Sequence, residues 1–190
     1  MSLRQPAPRS TIDPDAADVV AAQQDRAAFA VLYRRYLDRV YGYAYQQLGD
    51  HHDAEDATER TFLDAMRGIE RYRDGGAGFR PWLFRIAHNT VSNLHRSRGR
   101  RRTIALHDGF DQVDPTLGPQ GLVLRAEELR RVRRALDELP RDRRQVVLLR
   151  FGDGLSSREI GAVLERSEGA VRVLLHRALR DLAARLGPGV

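Results

Sequence analysis

LSSREIGAVLERSEGAVRVLLHRALRDL, residues 155–182, reads as two helices with a short break between them. Ser156 followed three residues later by Glu159 is a capping box, which marks a helix start. Ile160 and Leu164 fall on the inward side of that helix, and Gly161 is small where a second helix has to cross closely. The pattern breaks at Glu165-Arg166-Ser167. Ser167 can cap the next helix, and Glu168 suits its positive end. On that second helix Val171, Leu175, Ala178 and Leu182 form the buried stripe, which leaves Arg172, Val173, His176, Arg177 and Arg180 on or near the open face. The stretch predicts a helix-turn-helix, with Arg166 and Ser167 leading into the recognition helix. The exposed N-terminal half of such a helix can reach base edges in the major groove. Arg can hold guanine bidentately, and other Arg contacts go to phosphate. A plain helical hairpin with its charges in water has the same local features. Glu165 occupies a turn position often filled by Gly, so a looser or slightly strained turn is expected.

RDRRQVVLLRF is a short helix closed by Gly152 and Gly154, and the helical pattern before it stops at Pro140. Residues 103–121 mix Gly, Pro and Asp with no helical period and are expected to form a flexible linker. Upstream lies FRPWLFRIAHNTVSNLHRSRGRRR, residues 79–102, which holds seven Arg and no Asp or Glu. Pro81 suits a first turn. Phe79, Trp82, Leu83, Ile86, Thr90, Val91 and Leu94 make an apolar stripe. RDGGAG, residues 73–78, is a loop by composition. Two more helical patterns precede it. One carries Phe29, Leu32, Tyr33, Tyr36, Val40, Ala44 and Leu48 and stops at Gly49; the other starts near Asp53. No strand-like alternation is convincing. The expectation is an all-α protein of two small helical domains, 25–102 and 122–187, the second with the helix-turn-helix. Residues 1–24, Pro-rich and polar at the start, are expected as a disordered tail.

The chain has 190 residues, 32 Lys plus Arg, and a net charge of +6. Every one of those basic residues is Arg, which a GC-rich genome would by itself produce and whose planar fork also suits phosphate and guanine. There is no Cys, which excludes a disulfide framework and Cys-ligated zinc and fits a reducing cytoplasm. No apolar run approaches the ~20 residues needed to cross a bilayer. The segment 50–59 is acidic and Arg-free beside a basic helix, an asymmetry that suggests two partners of opposite charge. His51, His52, Asp53 and Glu55 lack a complete ligand spacing, so no metal is expected. No nucleophile with a positioned base and no phosphate-binding loop is present, so neither catalysis nor a cofactor is expected.

Taken together, DAEDATERTFLDAM, FRPWLFRIAHNTVSNLHRSRGRR and LPRDRRQVVLLRFGDGLSSREIGAVLERSEGAVRVLLHRAL resemble, in this order and spacing, the extracytoplasmic-function (ECF) sigma factors of bacteria. The resemblance implies a cytoplasmic, non-enzymatic transcription initiation factor, monomeric when free. It would bind the β′ clamp and β flap of core RNA polymerase and be restrained by an anti-sigma partner. It would read the −35 promoter element with Arg166, Ser167, Arg172, Val173, His176, Arg177 and Arg180. It would read and melt the −10 element with Tyr72, Arg73, Phe79, Arg80, Arg85, His88, Asn89, Asn93, Arg96 and Arg98, the loop 73–78 helping to capture a flipped base. Asp53, Glu55, Asp56, Glu59, Phe62 and Leu63 would meet the polymerase, and Trp82 would be core. The sequence departs from the family at Arg60, on the edge of the docking face. It departs again at Val173-Leu174, where a polar base-reading pair is common.

Two rival readings make different demands. An operator-binding regulator would need a dimer helix and leaves DAEDATERTFLDAM unexplained. A DNA-processing enzyme would need a nucleophile or metal cluster in the first hundred residues.

Overall fold

The computed structural model describes residues 13–98 and 119–187. Most of the expected linker and the Arg run 99–102 lie outside these residues. Eight α-helices occur among the described residues: α1 Ala16–Gln24, α2 Phe29–Leu48, α3 His51–Gly68, α4 Phe79–Arg98, α5 Pro119–Asp137, α6 Arg141–Val147, α7 Ser157–Leu164 and α8 Glu168–Leu186. No strand occurs there. The expected linker is therefore shortened at its far end, because α5 already begins at Pro119, a residue preorganised for a first helical turn.

Local chemistry sets the boundaries. Gly49 ends α2 in the left-handed conformation, φ 67°, where a side chain would be strained. Asp50 then caps α3, accepting the Asp53 N–H at 3.0 Å, which moves the start to His51, two residues ahead of expectation. α2, α3 and α4 pack into an N-terminal bundle around Leu32, Val40, Ala54, Ala57, Leu83, Phe84 and Val91. Each fully buried Leu, Val or Phe of this kind contributes roughly 1.5–3 kcal/mol. Gly68 lets the Trp82 ring approach to 3.1 Å from where a Cβ would sit. Trp82 thus packs against the core as expected, beside Tyr72 and Phe79 at ring separations of 5.0 and 5.5 Å.

One expectation fails at the N-terminus. Residues 13–24, read as disordered tail, form α1 and its lead-in. Val19 and Ala22 pack on α2, and Asp15 is buried, paired with Arg35 and accepting the Tyr36 hydroxyl. The anchor is polar and long-range, so helical periodicity does not report it.

In the C-terminal half α6 runs into a wide π turn, Leu148–Gly152, and packs with α7 on α8, while α5 lies along α8. The two halves also meet directly. α7 lies against α4, and the buried apolar residues of both halves form one connected cluster.

Candidate nucleic-acid and partner interfaces

α7 and α8 form the helix-turn-helix. Both halves of the capping box are made: the Glu159 N–H reaches the Ser156 hydroxyl at 3.2 Å, and the Ser156 N–H reaches Glu159 Oε2 at 2.7 Å. Ser167 caps α8 through the Ala170 N–H at 3.2 Å. Between them Glu165 takes φ 54°, ψ 46°, the only left-handed non-glycine among the described residues, so the strain expected at this turn is present. A Cβ on Gly161 would come within 2.6 Å of the Arg166 carbonyl oxygen, which is why the crossing needs glycine. Arg166, Ser167, Arg172, Val173, His176, Arg177 and Arg180 all lie on this unit and are all exposed, and Arg172 pairs with Glu168 one turn earlier. Leu174 is half-buried.

The second face is built on α4 and the loop before it, and its expected residues divide. Arg73, Arg85, Asn89, Asn93 and Arg96 are exposed, and Arg96 donates to Asn93. Arg98 closes α4. Tyr72 and Phe79, expected on the same face, are buried instead. Phe79 has no exposed surface and Tyr72 almost none, because they fill the space between Trp82 and Tyr36. Arg80 and His88 are half-buried and engaged. Arg80 donates to Glu159 of α7 at 2.7 Å, and the His88 Nδ1 lies 3.1 Å from the Tyr43 hydroxyl.

Arg80–Glu159 is part of a wider contact. Arg144 donates to the Gln46 carbonyl, Arg141 reaches the Ser92 hydroxyl at 3.3 Å, and Arg158 lies beside Gly76 in the glycine loop. Burial works against ionising Glu159, but the Ser156 N–H and the Arg80 guanidinium outweigh it and hold the carboxyl below its ordinary range. Burial, reinforced by nearby Arg141, lowers the His88 imidazole, so it is neutral here. Asp153 is buried beside Tyr43 of α2; desolvation pushes its carboxyl up to about 7, despite Arg39 and Arg80 nearby. Tyr43, Arg141, Asp153 and Arg158 carry no pattern that would have marked them, since their pairings cross the two halves.

The third surface has the opposite charge. Glu55, Asp56 and Glu59 are exposed along α3, Asp53 is half-buried, and Leu63 is exposed. Phe62, expected as a surface contact, is buried edge-on against Tyr33 at 4.8 Å, but it still floors a groove of about 700 Å³ between α2 and α3. Tyr33, Leu37, Leu63 and Met66 line that groove, with Glu55 and Glu59 beside them. The neighbouring histidines part company. His51 meets the Tyr41 hydroxyl at 2.6 Å, and His52 lies 3.5 Å from Asp56. No described helix is long and apolar enough to cross a membrane.

Comparison with known proteins assigns both halves. Sigma-70 region 2 matches residues 32–101, and Sigma-70 region 4 matches residues 129–182. The chain is 38% identical over 182 residues to the ECF RNA polymerase sigma factor SigE of Mycolicibacterium smegmatis, covering 91% of this chain and 69% of that protein. It is 35% identical to the ECF RNA polymerase sigma factor BldN of Streptomyces coelicolor, covering 82% and 59%. It is 31% identical to the RNA polymerase sigma-H factor of Pseudomonas aeruginosa, covering 86% and 89%. Among solved structures, CnrH in complex with the cytosolic domain of CnrY superposes with a TM-score of 0.69 at 28% identity, covering 92% of this chain and 97% of that one. RpoE of Bartonella quintana, crystallised with the anti-sigma factor NepR, shares the fold with a TM-score of 0.65 at 22% identity, covering 83% and 96%.

Proposed function

The chain belongs to the ECF sigma factors of the sigma-70 family, and from that premise we propose that it reads a promoter in two places while held on core RNA polymerase by a third surface. It is a promoter-recognition factor. The outer face of α8, from Arg166 to Arg180, reads the −35 element, Arg to guanine and phosphate. The face of α4 with Arg85, Asn89, Asn93 and Arg96, together with the loop 73–78, opens and holds the −10 element. Arg neutralises phosphate, and Asn pairs with exposed base edges. Glu55, Asp56 and Glu59 meet cationic side chains of the polymerase, and the apolar groove behind them takes an apolar contact. The protein acts by binding, without chemistry of its own, and its place of work is the cytoplasm, with polymerase and promoter.

The observation that carries this reading is the segregation of charge. One chain presents an acidic apolar groove on α2 and α3 and two basic faces on α4 and α8. A DNA-binding regulator alone has no use for the groove. Neither basic face is expected to bind tightly alone; polymerase fixes their spacing and supplies the effective concentration that links them. The contact of α7 with α4 fits a factor free of polymerase, and Arg80 must leave Glu159 before it can meet DNA. CnrH, found with the cytosolic domain of CnrY, supports the further expectation of an inhibitory protein partner.

Size exclusion with bacterial core RNA polymerase tests the docking face. The wild type co-elutes, and a Glu55→Arg/Asp56→Arg variant loses most of the complex. Sequencing the 5′ ends of transcripts made by the complex then gives the promoter elements. A folded wild type that fails to bind core polymerase overturns the reading.

A further inference from the structure

The glycine loop 73–78 is tied at both ends to the N-terminal segment, more than forty residues away in sequence. At its entrance the Gln23 side-chain amide donates to two carbonyls at once, Ile69 at 3.0 Å and Tyr72 at 2.9 Å. At its exit Asp13 Oδ2 accepts the Phe79 N–H at 2.7 Å, the first N–H of α4. An N-cap is normally the residue just before its helix. Here it comes from 66 positions upstream, and Gly78 clears the way for it. Gly78 has φ +87°, and a Cβ there would stand 3.2 Å from the Asp13 carboxylate.

Asp13 is itself held. Its Oδ1 accepts the Asp15 N–H at 3.1 Å across Pro14. Asp15 is buried, accepts the Tyr36 hydroxyl and pairs with Arg35, which also reaches Asp18 at 2.7 Å. This bolts the segment to α2. Between the two ties the loop is closed by its own Asp74, which accepts the Gly76 and Gly78 N–H groups at 2.8 and 3.0 Å. Two glycines of the loop have positive φ, so its backbone has unusual freedom unless its ends are fixed.

We infer that Asp13 and Gln23 are positioning residues for the downstream-element loop: α1 is a strut that fixes the two stems of the loop and so sets which base it accepts. This rests on the reading of residues 73–78 as the loop that captures a −10 base. Binding a flipped base requires a preformed pocket, because unstacking already costs energy that a mobile loop adds to.

The test uses the full chain reconstituted with core polymerase on a promoter library randomised separately in the upstream and downstream elements, with transcripts sequenced. Asp13→Ala and Gln23→Glu (same shape, no donor) are expected to reduce base preference at the downstream element about fivefold, the scale set by one lost cap. Upstream preference and polymerase binding stay at wild-type level. Asp13→Asn, which keeps an acceptor for the Phe79 N–H, restores most of the preference. Asp74→Ala in the loop is the control. If it lowers the downstream preference while Asp13→Ala and Gln23→Glu do not, the strut is refuted and the loop reading stands. If none of the three changes it, both fall. Equal losses at both elements also refute the strut, since the residues then serve the fold as a whole.

Discussion

The two basic faces are built from similar helices but stand in different states. The arginines proposed to read the −35 element are all exposed on α7–α8. On α4, Arg80 is bound to Glu159, His88 is bound to Tyr43 and neutral, and the two aromatics at the loop are core. The upstream reader is therefore complete as folded, whereas the downstream reader is partly occupied by the other half of its own chain. The difference follows from position. α8 keeps its apolar stripe for α6 and α7 and turns its cations outward, while α4 is packed from both sides, by α2 and α3 and by α7. A side chain between two packed elements finds a protein partner before it finds a nucleic acid.

The largest effect is expected from stripping the face that is complete. Arg172→Ala/Arg177→Ala in the reconstituted holoenzyme is expected to weaken upstream-duplex binding about a hundredfold, at ~1–3 kcal/mol for each Arg that pairs with a base. The slope of log K against log salt should fall by about one for each phosphate that is no longer neutralised. Fluorescence anisotropy with an upstream-only duplex, across a salt series, reads both. Unchanged affinity would mean that the exposed face is not the reader.

The interface that covers the other face has a titratable group in it. Asp153 ionises at about 7 in the folded chain, against an ordinary 3.8. Between those values the folded state binds more protons than the unfolded one, so this group makes stability fall as pH rises from about 4 to about 7. Asp153→Asn removes the dependence. The variant is expected to exceed wild type by about 2 kcal/mol at pH 8, with more than half of the gap gone at pH 5. Thermal melts of both proteins at the two pH values measure it, and parallel pH profiles would show that Asp153 is not desolvated between the halves.

Glu159→Gln touches the cover itself. Gln can still accept the Ser156 N–H, so the capping box survives, but the charge that holds Arg80 is gone. Affinity of the free protein for single-stranded oligonucleotides carrying the mapped −10 sequence is expected to rise about fivefold, the value of one partly buried charged hydrogen bond in excess of a neutral one. No rise would mean that the pairing does not limit access to α4, and the contrast between the two faces would lose its functional content.

What could be read from the residues alone divides along the same line. Local chemistry was legible: the capping box at Ser156, the stop at Gly49, the stripe of α4 and the core place of Trp82 all depend on neighbours within a few positions. Contacts that join distant segments were not. α1 shows only Val19 and Ala22 as buried apolar residues, and its hold on the molecule is through Asp13, Asp15 and Gln23. Tyr72 and Phe79 border a glycine loop and look exposed, yet Gly68 lets Trp82 close in and makes room for them inside. Arg80 belongs to a basic face by composition and to an ion pair by geometry. For the candidate site the types of residue were readable, but which of them are occupied was not.

The smallest effect is expected at the turn that presents the complete face. Glu165 holds the turn between α7 and α8 at φ 54°, where an L side chain costs roughly 1 kcal/mol. Glycine removes that strain but gives the unfolded chain more freedom to lose, so Glu165→Gly should stabilise by only about 0.5 kcal/mol, and Glu165→Ala should not stabilise at all. Urea unfolding of the three proteins separates these outcomes. Both substitutions also delete an exposed negative charge beside Arg166, so both should raise upstream-duplex affinity to the same small extent at low salt. If affinity instead follows stability, rising for Gly alone, then the turn sets how α8 is presented. The upstream reader would then be strained as well as exposed, and the contrast with α4 would be one of degree.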